Sequence, residues 1–337
     1  MIKQISIENF RVFDKLEINN IKNINFFVGK NNCGKTSVLE AIMLMSAITD
    51  FSMPYYINNL RTKNDNNELT LTNIFRNFDY KNNIKFEYKI KNNLNYKLNI
   101  KPILEYNNNI SGLEYNLIFN NINKKIKKKY EYSYKNISSI EKDILKINSN
   151  IKGIYIPSVL QYKDLMHNIT KIIKNKKNDK LTEMISFFDS KIKDINVLNN
   201  SIYMNIENIN ELVNINLIGD GVIKYLHIIA SIISDNFNTI LADEIENGLH
   251  HKSIIHLLKT IFRLSKDNNI QMFFTTHSYE VLKFIYYIIN DNKEFYDIKD
   301  EVNIINIVNT KNKGFKAYNY DILGIEELLK NDADIRY

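Results

Sequence analysis

Apolar and polar positions alternate, cluster and recur in an order that changes three times along the chain. Residues 2–8 (Ile2-Lys3-Gln4-Ile5-Ser6-Ile7-Glu8) alternate with the period of a half-buried strand, and a second strand is expected through Leu16-Glu17-Ile18. Ile24–Val28 reads as a short buried strand, and Ser37–Met45 as an apolar helix. Residues 51–80 are polar and asparagine-rich, with Asp65-Asn66-Asn67 a turn signal. Ile84–Ile90 alternates strictly, and 94–100, 113–119 and 126–134 do so less cleanly, so residues 83–135 predict an antiparallel β-meander. Ile151–Ile156 predicts another buried strand, stopped by Pro157. Residues 159–198 predict helices with a lysine-rich break near 174–180, a candidate arm or lid. Residues 201–207 and 211–217 suggest a hairpin. From Gly219 to about 290 the pattern runs helix, strand, helix, strand, helix, which argues for an α/β layer with a mostly parallel sheet. Strands at 301–309 and 314–319 and a helix from Ile322 to Leu329 complete the chain.

Composition narrows this picture only a little. The 337 residues suffice for about two domains, and 44% hydrophobic residues allow a sizeable core. Glycine (9) and proline (3) are scarce, so most of the chain is expected in regular structure. The net charge of +7 permits contact with DNA or RNA without arguing for it. Lys124, Lys125, Lys127, Lys128 and Lys129 read first as a solvated strand or turn, because edge strands carry lysines; a nucleic-acid patch is the alternative. One cysteine, Cys33, rules out an intrachain disulfide and suits a reducing cytoplasm. The N-terminus lacks the sections of a signal peptide, and no apolar run approaches the ~18 residues of a membrane span.

The chemistry-bearing stretch is Gly29-Lys30-Asn31-Asn32-Cys33-Gly34-Lys35-Thr36, which fits G-x-x-x-x-G-K-[ST] at every fixed position. It lies between the predicted strand and the predicted helix. There the glycines turn backbone N–H groups onto a polyphosphate and the helix N-terminus adds its dipole. Lys35 can reach the β- and γ-phosphates, and the Thr36 hydroxyl can hold Mg²⁺. A second apolar strand, Thr239-Ile240-Leu241-Ala242, ends in Asp243-Glu244. Asp243 is expected to support Mg²⁺, and Glu244 to orient and deprotonate the attacking water. A third strand, Gln271–Thr275, ends in Thr276-His277-Ser278, where His277 can donate to the γ-phosphate or the water. Gly219-Asp220-Gly221 opens a helix and reads either as an anion site or as an ordinary strand-to-helix turn.

Phosphate loop, glycine turn, strand-Asp-Glu and strand-Thr-His-Ser follow the motif order of the ABC-type ATPase head. Ile5-Ser6-Ile7-Glu8-Asn9-Phe10-Arg11 and Asp243-Glu244-Ile245-Glu246-Asn247-Gly248-Leu249-His250 resemble the RecF/SMC/OLD-like branch. The implied fold is a P-loop NTPase head with an antiparallel β-meander lobe and a short helical arm or lid. The head would comprise 1–50 and 201–337, with 83–135 and 151–156 belonging to it and 159–198 inserted. The resemblance implies ATP and Mg²⁺ as ligands. Gly29, Asn31, Asn32, Cys33, Gly34, Lys35, Thr36 and Ser37 would surround the phosphates, with Lys35 counted among the catalytic groups beside Glu244 and His277, and Thr36 and Asp243 on the metal. Arg11 and Phe13 would lie near base and ribose. Two heads would pair head to tail, each lending Gly219, Asp220 and Gly221 to the other's ATP.

Two departures bear on activity. Gly219 replaces the usual signature serine and Asp220 the middle glycine, removing a hydroxyl donor and adding negative charge. The Q-loop glutamine has no clear place, Gln161 being poorly positioned. About 60 residues follow His277, too few for a Toprim nuclease domain, so cutting would fall to a partner. The expected function is therefore a Mg²⁺-dependent ATPase forming a homodimer or larger homo-oligomer, away from any membrane. It would serve as a regulatory or sensor subunit in bacterial defence or DNA transactions, beside a nuclease or toxin effector. The alternative is an ATP-dependent scaffold with little hydrolysis.

Overall fold

The computed structural model describes residues 1–46, 53–61, 71–90, 94–104, 110–119, 122–129, 151–158, 162–234, 237–268, 270–310 and 313–330. Two large sheets carry the architecture. The first is antiparallel and contains β1 (Ile2–Phe10), β2 (Phe13–Ile18), β4 (Ile84–Ile90), β5 (Leu94–Leu104), β6 (Ile110–Phe119) and β7 (Ile122–Lys129), in the order β2-β1-β4-β5-β6-β7. The expected meander is thus built onto the N-terminal strand, with Ile5 opposite Tyr88 and Tyr88 opposite Tyr96. The lysine run lies on β7, last in that order; residues 130–135 fall outside the described ones.

The second sheet contains β3 (Ile24–Val28), β8 (Gly153–Ile156), β12 (Thr239–Ala242), β13 (Gln271–Thr275), β14 (Val302–Thr310) and β15 (Gly314–Tyr320), ordered β15-β14-β3-β13-β12-β8. All its pairings are parallel except β14 with β15. Its central strands β3 and β13 are buried at every position because both faces are covered. Successive side chains on a strand point to opposite faces, and here they enter two different cores. Phe26, Ile240, Ala242, Met272, Phe274 and Ile304 join the core on one side, while Phe27, Leu241, Phe273 and Ile305 join the other. Phe27 stacks on Phe273 with centroids 6.2 Å apart, and Phe26 meets Phe274 at 5.2 Å across the same pair of strands.

One core lies between this sheet and the antiparallel sheet and holds α1 (Lys35–Ser46). The other is filled by helices: α3 (Tyr162–Lys174), α4 (Asn178–Phe188), α5 (Asp220–Ser234), α6 (His251–Asn268), α7 (Tyr279–Asp291) and α8 (Ile322–Lys330). A short α2 (Met53–Asn59) follows α1. Gln271 stitches the two sheets: its Oε1 accepts from the Ile2 N–H (2.7 Å), and its Nε2 donates to the carbonyls of Ile2 and Lys22 (both 2.8 Å).

Residues 159–198 are not helical throughout. After α3 and α4 the chain forms β9 (Ile192–Leu198), paired with β10 (Ser201–Ile206), which pairs in turn with β11 (Val213–Asn214). Ile192, Ile195 and Leu198 recur every third residue and so mimic a helical stripe, but Leu198 is 47% exposed and only the first two enter the core. The second strand expected at 211–217 shrinks to two residues before a 3-10 turn at Ile215–Leu217. Helices α3 and α4 lie along α5: Asn168 Nδ2 donates to Ser231 Oγ (3.1 Å) and the Tyr225 hydroxyl to the Met184 carbonyl (2.8 Å). Among the described residues no helix is long and apolar enough to cross a membrane.

Phe273 is fully buried and sandwiched between the sheets. Phe273→Ala is expected to cost about 3–5 kcal/mol, measured as a fall in urea midpoint at constant slope.

Candidate nucleotide site

The carboxyl ends of β3, β12 and β13 meet at one edge of the parallel sheet, where such folds bind ligands. The phosphate loop leaves β3 at Gly29 and enters α1 at Lys35. Two positions there require glycine. Gly29 has φ +136°, and a Cβ on it would stand 2.4 Å from the Ile307 carbonyl oxygen; Gly34 has φ +97°, and its Cβ would strike the Phe13 ring at 2.4 Å. Lys30, Asn31 and Asn32 are exposed, while Cys33, Lys35 and Ser37 are buried. The first N–H groups of an α-helix such as α1 have no acceptor within the helix and make its N-terminus suited to an anion.

Lys35 folds inward, its Nζ donating to the carbonyls of Gly29 (2.8 Å) and Lys30 (2.9 Å). Burial lowers its pKa, opposed by Cys33, Asp243 and Glu244. Burial also pushes the Cys33 thiol up, with Lys35 acting against it; a thiol held protonated is a poor redox centre. Cys33 thus serves as a loop residue.

Thr36 Oγ1 lies 3.1 and 3.2 Å from the two carboxylate oxygens of Asp243. Asp243 is fixed from two further directions: its N–H donates to the Ile156 carbonyl (2.9 Å), and Thr275 Oγ1 donates to its Oδ1 (2.6 Å). The same Thr275 hydroxyl accepts from the Glu244 N–H at 2.7 Å. Glu244 itself has φ +46°, a left-handed conformation unfavourable for a side-chain-bearing residue and held here by its neighbours. Its Oε1 stands 3.7 Å from His277 Nε2. The structure therefore brings together Lys35, Thr36, Asp243, Glu244 and His277, the residues singled out from three separate motifs. A hydroxyl and a carboxylate are hard oxygen donors of the kind Mg²⁺ takes in small number, leaving the rest of its sphere to phosphates and water. Among the described residues no group of three or more His, Cys, Asp or Glu side chains is placed to hold a metal ion by itself; Thr36 and Asp243 are the donors that fit an ion shared with a nucleotide's phosphates.

Gly219 stands exposed just before α5 with open space around its Cα, while Asp220 and Gly221 begin the helix and lie against the turn after Glu246. A Cβ on Gly221 would lie 3.3 Å from the Gly248 carbonyl oxygen, and Gly248 faces the Asp220 Cβ.

Arg11 requires correction. Its side chain is 6% exposed, and its guanidinium donates to Glu40 Oε2 (2.9 Å), Asn58 Oδ1 (2.9 Å) and the Asn73 carbonyl (3.0 Å), so it is a bracket beneath α1, not a contact for base or ribose. Phe13 is fully buried against Phe315. Val12, between them, is 39% exposed beside Gly34 and is the residue that presents surface there. Glu40 also receives Arg61 (Nε to Oε1, 2.7 Å), and Arg61 Nη2 reaches Ser37 Oγ at 3.2 Å. Two cations on one buried carboxylate thus tie residues 11 and 61 to the helix that carries the phosphate loop.

Sequence reading missed Thr275 and Lys224. The signal for the first is a threonine closing a buried strand; for the second, one lysine in the apolar run Val222-Ile223-Lys224-Tyr225-Leu226. Lys224 is 2% exposed and donates to the carbonyls of Asp243 (3.3 Å) and Pro157 (3.5 Å). Burial lowers its pKa from 10.5 to about 8, against the pull of Asp243, Glu244 and Glu246.

Fold and site together define an ABC-type ATPase head: a phosphate loop and its helix, an Asp-Glu strand end and a histidine on the next strand. The family profile described as "AAA domain, putative AbiEii toxin, Type IV TA system" matches residues 24–283, and the chain belongs to that family. It is 29% identical over 336 residues to an ATP/GTP phosphatase of Helicobacter pylori, spanning 88% of this chain and 90% of that protein. Over 45 residues, 13% of this chain and 12% of the relative, it is 42% identical to the DNA replication and repair protein RecF of Lactococcus lactis. Among solved structures it resembles an Smc head bound to the C-winged helix domain of ScpA (TM-score 0.60, 12% identity, 98% and 99% of the two chains). It also resembles an Smc head with an extended coiled coil bound to the C-terminal domain of ScpA derived from Pyrococcus furiosus (TM-score 0.58, 10% identity, 98% and 99%).

Two outcomes follow from the buried charges. Glu40→Ala leaves two guanidinium groups facing each other and is expected to cost about 3–5 kcal/mol by urea denaturation. Because Lys224 binds fewer protons folded than unfolded between about pH 8 and 10.5, it makes stability rise with pH across that window. Lys224→Met is expected to flatten the rise, measured as the difference in unfolding free energy between pH 8 and pH 10.

Proposed function

We propose that this chain is a Mg²⁺-dependent ATPase that works as a head-to-tail pair. The observation that carries this reading is the contact of Thr36 with Asp243 beside a Glu244 that faces His277. Phosphate-loop N–H groups and Lys35 bind the β- and γ-phosphates. Thr36 and Asp243 would hold Mg²⁺, whose charge offsets that of the phosphates. Glu244 takes a proton from the attacking water as its oxygen bonds to the γ-phosphorus. The bond from that phosphorus to the β–γ bridging oxygen breaks, and ADP departs with it. His277 donates a hydrogen bond to the γ-phosphate or the water, while Thr275 and Lys224 hold the Asp243–Glu244 backbone.

The paired arrangement rests on Gly219-Asp220-Gly221, whose place at the start of α5 suits a contact made to a second copy's nucleotide. In this reading the head is split in sequence, with residues 159–198 an insertion upon it. The cellular role we favour is a cytoplasmic regulatory or sensor subunit in bacterial defence or a DNA transaction, acting with a separate nuclease or toxin. Asp220 supports a second reading. A carboxylate beside the partner's γ-phosphate opposes trans activation, so that the pair would act as an ATP-held scaffold with slow turnover.

Turnover of ATP and nucleotide affinity distinguish these. Lys35→Ala is expected to abolish ATP binding. Glu244→Gln should bind ATP as the wild type does, lose at least about 100-fold in turnover and elute as a dimer in ATP. Wild-type turnover in Glu244→Gln would overturn the assignment of the base; tight ATP binding with negligible turnover in the wild type itself would select the scaffold.

A further inference from the structure

Glu246 lies three residues beyond Asp243, in the turn that Gly248 closes, and the mechanism above gives it no part. Its Oε1 accepts the main-chain N–H of His277 at 2.6 Å, shorter than an ordinary N–H···O bond. Its Oε2 is buried and takes no hydrogen bond. An ionised acceptor makes a bond to N–H roughly twice as strong as a neutral one, whereas burying its second oxygen unpaired is unfavourable. A carboxylate at this position is therefore a poor choice for stability alone. Its bond completes a series: the Thr276 N–H is held by the Phe27 carbonyl (3.1 Å) and the Ser278 N–H by Thr276 Oγ1 (3.0 Å), with the His277 N–H between them. The ring of that histidine stands 3.7 Å from Glu244.

We propose that Glu246 is a positioning residue for hydrolysis: it clamps the His277 main chain to the strand end that carries Asp243 and Glu244, and so sets the imidazole against the base. Two catalytic side chains on separate strands then share one rigid connection. The proposal rests on the assignment of Glu244 and His277 above.

The test is steady-state ATP turnover of wild type, His277→Ala, Glu246→Ala, Glu246→Gln and the Glu246→Ala/His277→Ala double variant, with melting temperature and ATP affinity measured for each. Glu246→Ala is expected to lose about 10- to 100-fold in kcat with KM and affinity within about twofold. Glu246→Gln, which keeps one carbonyl acceptor, should recover most of that loss. The double variant should be no slower than His277→Ala, because the clamp acts only through the histidine. Losses that multiply in the double variant, or an unchanged kcat in Glu246→Ala while His277→Ala is impaired, would overturn the proposal and leave His277 in place. An unimpaired His277→Ala would instead remove the reading on which the proposal rests. If Glu246→Ala does not fold, Glu246→Asp replaces it; kcat reduced at unchanged affinity, again without further effect in the His277→Ala background, supports the clamp.

Discussion

A sheet buried on both faces can offer chemistry only at its ends. Here Phe26 and Phe274 fill one core while Phe27 and Phe273 fill the other, so no side chain along β3 or β13 is available to a ligand until the strand stops. Where β3, β12 and β13 stop, the chain places a glycine loop, two acids, and a threonine with a histidine. The parallel pairing puts these endings level: Ala242 is opposite Phe274, and Phe26 opposite the same residue. Asp243 then lies between the hydroxyls of Thr36 and Thr275, one from the helix after the loop and one from the neighbouring strand.

The same constraint explains what could be read from the sequence. The phosphate loop is one uninterrupted segment, and Asp243-Glu244 and His277 each directly follow an apolar run, so residue order alone marks them. The antiparallel meander and the α/β layer were legible too, because alternating strands, buried strands and apolar helices have different periods, whereas the packing of the two sheets around two cores shows only in the structure. Arg11 was misplaced because its environment is assembled from Glu40, Asn58 and Asn73, 29 to 62 positions away, and no local pattern announces that a guanidinium will be buried. Residues 192–198 were misread because an apolar residue every third position serves a helix or a half-covered strand, and pairing with β10 decides between them. Thr275 and Lys224 are ordinary residue types whose roles arise only from what stands opposite them.

The charged groups around the site divide into two kinds. Buried Glu40, paired with buried Arg11 and with the exposed Arg61, binds the start of the chain to α1, and its energetics are those of fold maintenance. Lys224 acts under the strand end: an ammonium with a depressed pKa, directed at main-chain carbonyls. It donates to the Asp243 backbone while its charge attracts the carboxylates of Asp243, Glu244 and Glu246; the Asp243 carboxylate meets Thr36, and that of Glu244 stands near His277.

Gln271 gives the architecture a mechanical property. Its amide meets both main-chain groups of Ile2 as a neighbouring strand would, while its own backbone belongs to the parallel sheet. The first residues of the chain are in this way sewn to β13, the strand that His277 follows by two residues. The antiparallel lobe is then not a detachable attachment: its N-terminal strand shares both main-chain hydrogen bonds of Ile2 with the strand that leads to the candidate nucleotide edge. Evolutionary freedom to lengthen or exchange the lobe should accordingly lie in the distal hairpins of β5 to β7, far from that seam.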